Sequence, residues 1–381
     1  MKTSYSEKDV IVLLKDITGR IQAKNALERE ILIQSGVHYS ELLPVEYQPT
    51  EEYKKLYDEA LCLHAEQTAK AAAVLAEKIW QEKAGDVTLV SLARAGTPIG
   101  ILLKRYLEKK YQTEVLHYTI SIIRDRGIDH NAMKYILERH RNESIQFVDG
   151  WVGKGAITKE LKKAMKEYEG VSSQLAVLAD PAQITRLYGT TEDFLIPSAC
   201  LNAPISGLFS RTVLNEDVIG KEDFHGAVYY KEMEDIDVSY EFINTIENYF
   251  PKEIKGKMTK PLGNDKKILQ HKQRCLFKVP NMKAENIEIA GEEEIETGLQ
   301  EVQKIARQFG ISNINHMKPG IGETTRVLLR RIPWKILVKE EAEEKYIGHI
   351  LRLCKEKKVQ VLRYPLKHYR ACGIIKNMSD I

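Results

Sequence analysis

Apolar positions recur at helical spacing from about Glu52 to Lys83, where Leu56, Ala60, Leu63, Ala71, Val74, Leu75 and Ile79 can share one face. Before them, the first 50 residues form a cap of short elements ending in SGVHYSELLPVEYQPTEEY. After them the pattern turns β-rich over Asp86 to Leu92, and Ala93 to Pro98 make a turn. A helix is predicted over Ile99 to Lys110 and a strand over Glu114 to Ile122, followed by a polar loop, Arg124 to Asp129. A helix over about Asn131 to Arg141, a strand over Ser144 to Val148, a loop over Asp149 to Ala156 and a helix over Thr158 to Lys166 follow. Ser173 to Ala179 make one more strand. Strand, loop and helix in this alternation predict a parallel α/β sheet. Sites in such sheets lie at the carboxyl ends of the strands, where these polar loops fall.

Periodicity weakens and lysines cluster from Tyr249 to Glu288, as expected of a basic linker. A smaller α/β unit follows. It has helices near Ile295 to Phe309, Thr324 to Arg331 and Tyr346 to Glu356, a loop at Lys318 to Glu323, and strands at Trp334 to Val338 and Val359 to Leu362. The expected division is residues 1–250, a linker over 251–290, and a second domain over 291–381.

A length of 381 residues suits two domains, each large enough for its own core. Hydrophobic residues at 43% and charged residues at 29% exclude a wholly disordered chain. No apolar run reaches the ~18 residues of a membrane span, so no membrane partner is expected. The N-terminal MKTSYSEKDVIVLLKD is too charged for a secretory signal, and the five cysteines are scattered without a CxxC pair. A cytoplasmic location without disulfides is the expectation. The net charge of +3 hides an asymmetry. Residues 252–381 carry 27 Lys+Arg and 16 Asp+Glu, net +11, whereas residues 1–251 are net −8. A basic C-terminal part is a candidate for nucleic acid, with a solvated lysine-rich surface as the plainer alternative.

The sharpest local signal is IQFVDGWVGKGAIT, residues 145–158. A buried strand ends in an acid, Asp149. Gly150, Gly153 and Gly155 then let backbone N–H groups close round a phosphate at a helix start. Asp149 can accept bonds from ribose hydroxyls, and Lys154 adds positive charge. The spacing fits neither a Walker loop nor GxGxxG. An ordinary strand-to-helix turn is the alternative.

An acid at a strand end followed by a Gly/Thr-rich loop resembles the phosphoribosyl-pyrophosphate loop of type I phosphoribosyltransferases. Ala93-Arg94-Ala95-Gly96 resembles that fold's pyrophosphate loop, and Arg124 to Asp129 occupies the place of its mobile catalytic loop. More specifically, HYSELLP, LARAGTPIG, RDRGID, FVDGWVGKGAI and PSACLNAPISGLFSRTV resemble the bacterial StiP family. That family is described as phosphoribosyltransferase-like, is associated with tellurite-resistance-type stress operons, and is labelled a cysteine protease. The resemblance covers roughly residues 1–250. It departs from the transferases where Gly150 replaces the usual second acid and where Gly153 and Lys154 replace hydroxylic residues.

The resemblance implies a type I phosphoribosyltransferase-like α/β fold and a Mg²⁺-dependent enzyme. Its donor is phosphoribosyl pyrophosphate or a related ribose phosphate, and its product is nucleoside-like. Asp149, Arg124 and Arg126 are the implied catalytic residues. The implied substrate-binding residues are Arg94, Ala95, Gly96, Thr97, Asp149 to Trp151, Gly153 to Thr158, Ser210 and Arg211. Gly150, Trp151, Lys154, Gly155, Ala156, Ile157 and Thr158 belong to this set. Mg²⁺ would neutralise the diphosphate, and His130 could act as an acid or base. The segment Asp180 to Val213 is expected to bind the acceptor. In the competing hydrolase reading Cys200 is the nucleophile, with His225 or His130 as its base. A lone cysteine is also commonly a buried small hydrophobe.

KPGIGETTRVLLRRIPWKILVKEE and IGHILRLCKEKKVQVLRYPLKHYRACGIIK resemble the Pelota and kink-turn-binding superfamily over about residues 295–378. There a Gly-rich turn opens a helix that contacts RNA. By that likeness Gly320, Gly322, Glu323, Thr325, Arg326 and Arg330 would bind RNA, although Gly322 stands where the family has Asn. Here too the plain alternative is a capped helix start. A third reading joins the two domains as a non-catalytic nucleotide-sensing and RNA-binding module. The acceptor, the RNA and whether the chain forms a homo-oligomer are not legible from these residues.

Overall fold

The computed structural model describes residues 1–251 and 297–375. The expected linker beyond Pro251, and Cys275 within it, lie outside the described residues. The helices are α1 Ala26–Gln34, α2 Glu51–Glu82, α3 Gly96–Tyr111, α4 His130–Leu137, α5 Ala156–Ala164, α6 Ser239–Asn248, α7 Gly298–Gln308, α8 Ile321–Arg330 and α9 Glu344–Glu356. The strands of the first 251 residues are β1 Ile11–Val12, β2 Lys15–Asp16, β3 Ala23–Lys24, β4 Leu43–Pro44, β5 Thr88–Leu92, β6 Leu116–Ile120, β7 Ile122–Ile123, β8 Gly127–Ile128, β9 Ile145–Trp151, β10 Leu175–Ala179, β11 Leu187–Thr190 and β12 Gly226–Ala227. The C-terminal strands are β13 Met317–Pro319, β14 Pro333–Lys339, β15 Gln360–Tyr364 and β16 Ala371–Ile375.

The central sheet has the order β1-β6-β5-β9-β10-β11 and is parallel throughout. Its inner strands are apolar on both faces, as TLVSL in β5 and LAVLA in β10 show, because helices cover both sides. β5 and β9 are neighbours whose connections leave in opposite directions, so their carboxyl ends form the switch point of the sheet. The 32-residue α2 lies across one face. Its alanines allow close approach, and a side chain on Gly189 of β11 would come within 2.3 Å of the Ala71 carbonyl. Arg124 to Asp129, expected as a polar loop, is the tip and return of the β7–β8 hairpin.

The C-terminal sheet has the order β13-β16-β14-β15, with β16 antiparallel to both of its neighbours. The apolar core does not stop at the domain boundary. Phe194, Leu195 and Ile196 share one buried cluster with Ile321, Val327 and Leu328, and Val177 and Ala182 share another with Val302 and Ile305. Gly298 is one point where the two parts meet backbone to backbone. Its N–H donates to the Ala182 carbonyl at 3.2 Å. A Cβ there would stand 2.8 Å from the Ala182 Cα and 2.5 Å from the Tyr369 hydroxyl.

Candidate functional site

β9 carries Asp149 to the switch point. Its Oδ1 accepts from the Gly150 N–H at 2.7 Å. Burial pushes this carboxyl up to about 7, against the pull of the Gly150 N–H and Arg326. Beside it the β5 and β9 connections are in direct contact. A side chain at Gly96 would come within 2.5 Å of the Val148 carbonyl, and one at Gly150 within 3.3 Å of the Ala95 carbonyl. The acid that transferases carry at the second position would press on that carbonyl.

The C-terminal domain lies on top. Gly153 accepts a bond from the Tyr369 hydroxyl at 2.9 Å, and Lys154 donates to the Ile314 carbonyl at 2.6 Å. Burial, reinforced by Lys318, lowers the Lys154 ammonium to about 8. The Arg326 guanidinium sits 5.0 Å over the Trp151 ring, pairs with Glu323 at 3.2 Å, and donates to the Ala199 carbonyl at 3.3 Å. Burial raises the Glu323 carboxyl, but Arg326, Lys318 and a bond to Trp151 outweigh it and leave the group below its ordinary range. The cavity left between Trp151, Phe194, Ala199, Gly320 and Glu323 holds about 20 Å³, roughly one water. Trp151, Gly153 and Lys154 of the expected phosphate loop therefore contact the C-terminal domain, whereas Ala156 is exposed.

The expected RNA turn is the other half of the same seam. Asp193 accepts from the Ile321 N–H at 2.8 Å and from the Arg370 N–H at 2.7 Å, and its carbonyl accepts from the Arg370 guanidinium. Burial raises this carboxyl to about 6, with the two N–H groups opposing. The chain's own carboxylate thus occupies the anion position at the α8 N-terminus. Gly320 is buried there, Thr325 is fully buried and bonded to the Ile321 carbonyl, and Gly322, Glu323 and Arg326 are half-buried against the N-terminal domain. These residues lie along the seam with the N-terminal domain. Arg330 closes α8, and its side chain lies outside what the structure describes.

The remaining expected site residues are tied elsewhere. Arg94 donates to the Phe209 carbonyl at 3.0 Å and pairs with Glu46 at 3.4 Å. Thr97 is buried and bonded by Thr119 at 3.0 Å. Arg126 pairs with Glu41 at 2.7 Å, and Arg124 lies over the Tyr39 ring at 5.4 Å while donating to Asn315 at 3.3 Å. Ser210 accepts from the Val228 N–H at 3.0 Å. Arg211 holds the carbonyls of Tyr39 and Leu42, and burial lowers its guanidinium to about 10. Arg211 therefore braces the N-terminal cap, and Ser210 ties its own loop to Val228.

Cys200 follows the Pro197–Ala199 turn, is fully buried, and sits one residue from the Ala199 carbonyl that Arg326 holds. The imidazoles expected to serve it are committed elsewhere. His225 Nδ1 meets the Ser121 hydroxyl at 2.9 Å, while Asp129 accepts from the His225 backbone N–H at 2.6 Å. His130 Nδ1 meets the Tyr168 hydroxyl at 2.6 Å. His64 is the histidine that sequence reasoning passed over. Its ring is 5.4 Å from Phe194, in the same segment as Cys200. The helix that carries His64, α2, packs on the Pro197–Ala199 turn that precedes Cys200. Among the other described cysteines, burial pushes the thiols of Cys354 and Cys372 up to about 12, and Cys62 is exposed. Among the described residues no group of three or more His, Cys, Asp or Glu side chains could hold a metal ion. Magnesium is implied only through the diphosphate of a transferase substrate.

Comparison with known proteins gives three results. Residues 3–247 match the family described as tellurite-like stress resistance cysteine protease StiP, and residues 296–377 match the PELOTA RNA binding domain. A protein named cysteine protease StiP, from Acinetobacter baylyi (strain ATCC 33305 / BD413 / ADP1), is 33% identical over 99% of this chain and 94% of its own length. A crystal structure of HGPRT-ase from Leishmania tarentolae in complex with GMP aligns with 44% of this chain and 94% of its own, at 17% identity and a TM-score of 0.28, too low to carry anything across. The expected Mg²⁺-dependent phosphoribosyltransferase is corrected by these names, since both the family and the relative are called cysteine proteases. With matches spanning its N-terminal domain and nearly its whole length, the chain belongs to the StiP family.

Proposed function

We propose that the chain is a cysteine protease of the StiP type whose C-terminal domain binds RNA. The observation that carries the hydrolase reading is the 33% identity over 99% of the chain to a protein of that name. Cys200 is the proposed nucleophile. It lies in PSACLNAPISGLFSRTV, one of the five segments in which the chain resembles the family. Cys200 is buried beside the interdomain seam, so substrate reaches it only when that seam opens. The N-terminal domain is read as a type I phosphoribosyltransferase-like sheet put to hydrolytic use, supported by Asp149 near the carboxyl end of β9 at the switch point. RNA binding is supported by the domain match over residues 296–377 and by charge, since residues 297–375 hold 16 Lys+Arg against 7 Asp+Glu.

The test is release of peptides from an unfolded protein substrate under reducing conditions. Cys200→Ala should lower turnover at least ~10³-fold, and Cys62→Ser should leave it unchanged. Turnover that survives Cys200→Ala removes Cys200 from the reading.

A further inference from the structure

The turn by which the C-terminal domain was expected to meet RNA is spent on the seam. A different surface of the same domain has the chemistry of a nucleic-acid contact. Between α8 and β14 runs Arg331-Ile332-Pro333-Trp334-Lys335. Ile332 is 54% exposed and Trp334 38% exposed, and among the described residues of this domain they are the large apolar side chains left in solvent. Phe309, at the end of α7, meets Trp334 edge-to-face with centroids 6.5 Å apart, and Tyr364 of β15 lies 6.2 Å from Phe309. The Lys335 ammonium is 4.6 Å from the centre of the Trp334 ring and 5.9 Å from that of Phe309. Arg331 is exposed at the start of the segment.

Exposed indole, flanking rings and fixed cations are what unpaired bases and their phosphates require. Every base offers a π face for stacking, and the ammonium groups meet the backbone. A duplex keeps its bases stacked on one another and offers no free face to a ring. The domain's excess of nine positive charges over residues 297–375 supplies long-range attraction for a polyanion. An acidic peptide would satisfy the charges but not the rings.

We propose that single-stranded RNA binds at the Trp334 face, with a base stacked on Trp334 and phosphates held by Lys335 and Arg331. The proposal rests on reading the C-terminal domain as RNA-binding. It moves the contact from the Gly320 to Arg326 turn to the opposite end of α8.

The experiment titrates the full chain with a labelled single-stranded adenylate oligomer at several salt concentrations. Intrinsic fluorescence is followed in parallel, since the chain holds three tryptophans and Trp80 is buried. Trp334→Ala should weaken binding roughly 5- to 150-fold. Lys335→Ala should flatten the log–log salt slope by about 0.7. Trp334→Phe preserves a stacking ring and the fold, so it should retain most affinity while losing the RNA-induced quench. This variant keeps the test decisive if Trp334→Ala lowers the melting temperature. RNA binding that is unchanged in Trp334→Ala, with the quench intact in Trp334→Phe, overturns the proposed face and leaves RNA binding standing. Weakening by Arg326→Ala with no effect of Trp334→Ala returns the contact to the turn and also overturns it. Absence of binding by the unaltered chain at low salt removes the RNA reading itself.

Discussion

The helix starts at Gly155 and Gly320 look alike in sequence, and the structure treats them differently. Both glycines have positive φ, +77° and +92°, and both open a helix beside cationic side chains. At Gly320 the first helical N–H receives an anion from within the chain, the Asp193 carboxylate at 2.8 Å from Ile321. At Gly155 the loop gives rather than receives, with Lys154 donating to Ile314 and the Gly153 carbonyl accepting from Tyr369. A helix N-terminus attracts negative charge whatever its source. The sequence signature of a phosphate turn is therefore shared by a turn whose anion is another part of the same protein. Here Asp193 fills the turn at Gly320, and Ile314 and Tyr369 of the C-terminal domain hold the loop before Gly155.

If Asp193 is the anion that closes the second turn, its loss should show most. Asp193→Ala leaves the Ile321 and Arg370 N–H groups without their acceptor, and should cost about 3 kcal/mol in denaturant unfolding. A loss below about 1 kcal/mol would mean the turn closes without it. Gly298→Ala probes a close backbone contact between the domains. Its methyl would collide with the Ala182 Cα and the Tyr369 hydroxyl, for an expected loss of about 2 kcal/mol. A neutral result would show that the two parts can separate there freely.

The contrast between the turns also predicts a pH dependence. Asp149 is raised from its ordinary range to about 7 because burial penalises its carboxylate. The protonated form is favoured by folding, so this stabilisation is full below about pH 4 and is lost as pH rises through about 7. Asp149→Asn should flatten the fall in melting temperature between pH 5 and 8. An unchanged pH profile would mean that the C-terminal cover leaves Asp149 well solvated. The smallest effect is expected at the rim, where the exposed Arg352 pairs with Glu59 at 2.7 Å. Arg352→Ala should change stability by less than about 1 kcal/mol.

Most of the fold was legible because its signals are local. The long apolar stripe of α2, the buried runs of β5 and β10 and the capped α7 announce themselves within a few residues. The edge strands β1 and β11 were missed because they are two and four residues long. β16, ACGII, was missed because it lies past the last helix without a flanking turn signal. Family membership was legible too, through five motifs in order. The candidate site was legible only in part. The strand expected to end at Val148 runs on through Asp149 to Trp151, and nothing near residue 149 in the sequence reveals that Arg326 and Glu323 lie close by. The same holds for Arg211, whose partners Tyr39 and Leu42 are some 170 residues away in the chain. Contacts across such separations leave no mark in local pattern, so residues suited to a ligand were assigned one.

The central claim is that the Gly320 to Arg326 turn sits on the Pro197–Cys200 segment and closes the carboxyl end of the sheet. A Cβ built on Gly322 lies 3.5 Å from the Ala199 Cβ, within the span of a disulfide. The direct measurement is Ala199→Cys with Gly322→Cys in a Cys200→Ala background, under mild oxidation, with free thiols counted by mass. The seam predicts that the two introduced thiols join rapidly and completely within one chain. Both thiols remaining free and as reactive as the exposed Cys62 would contradict it.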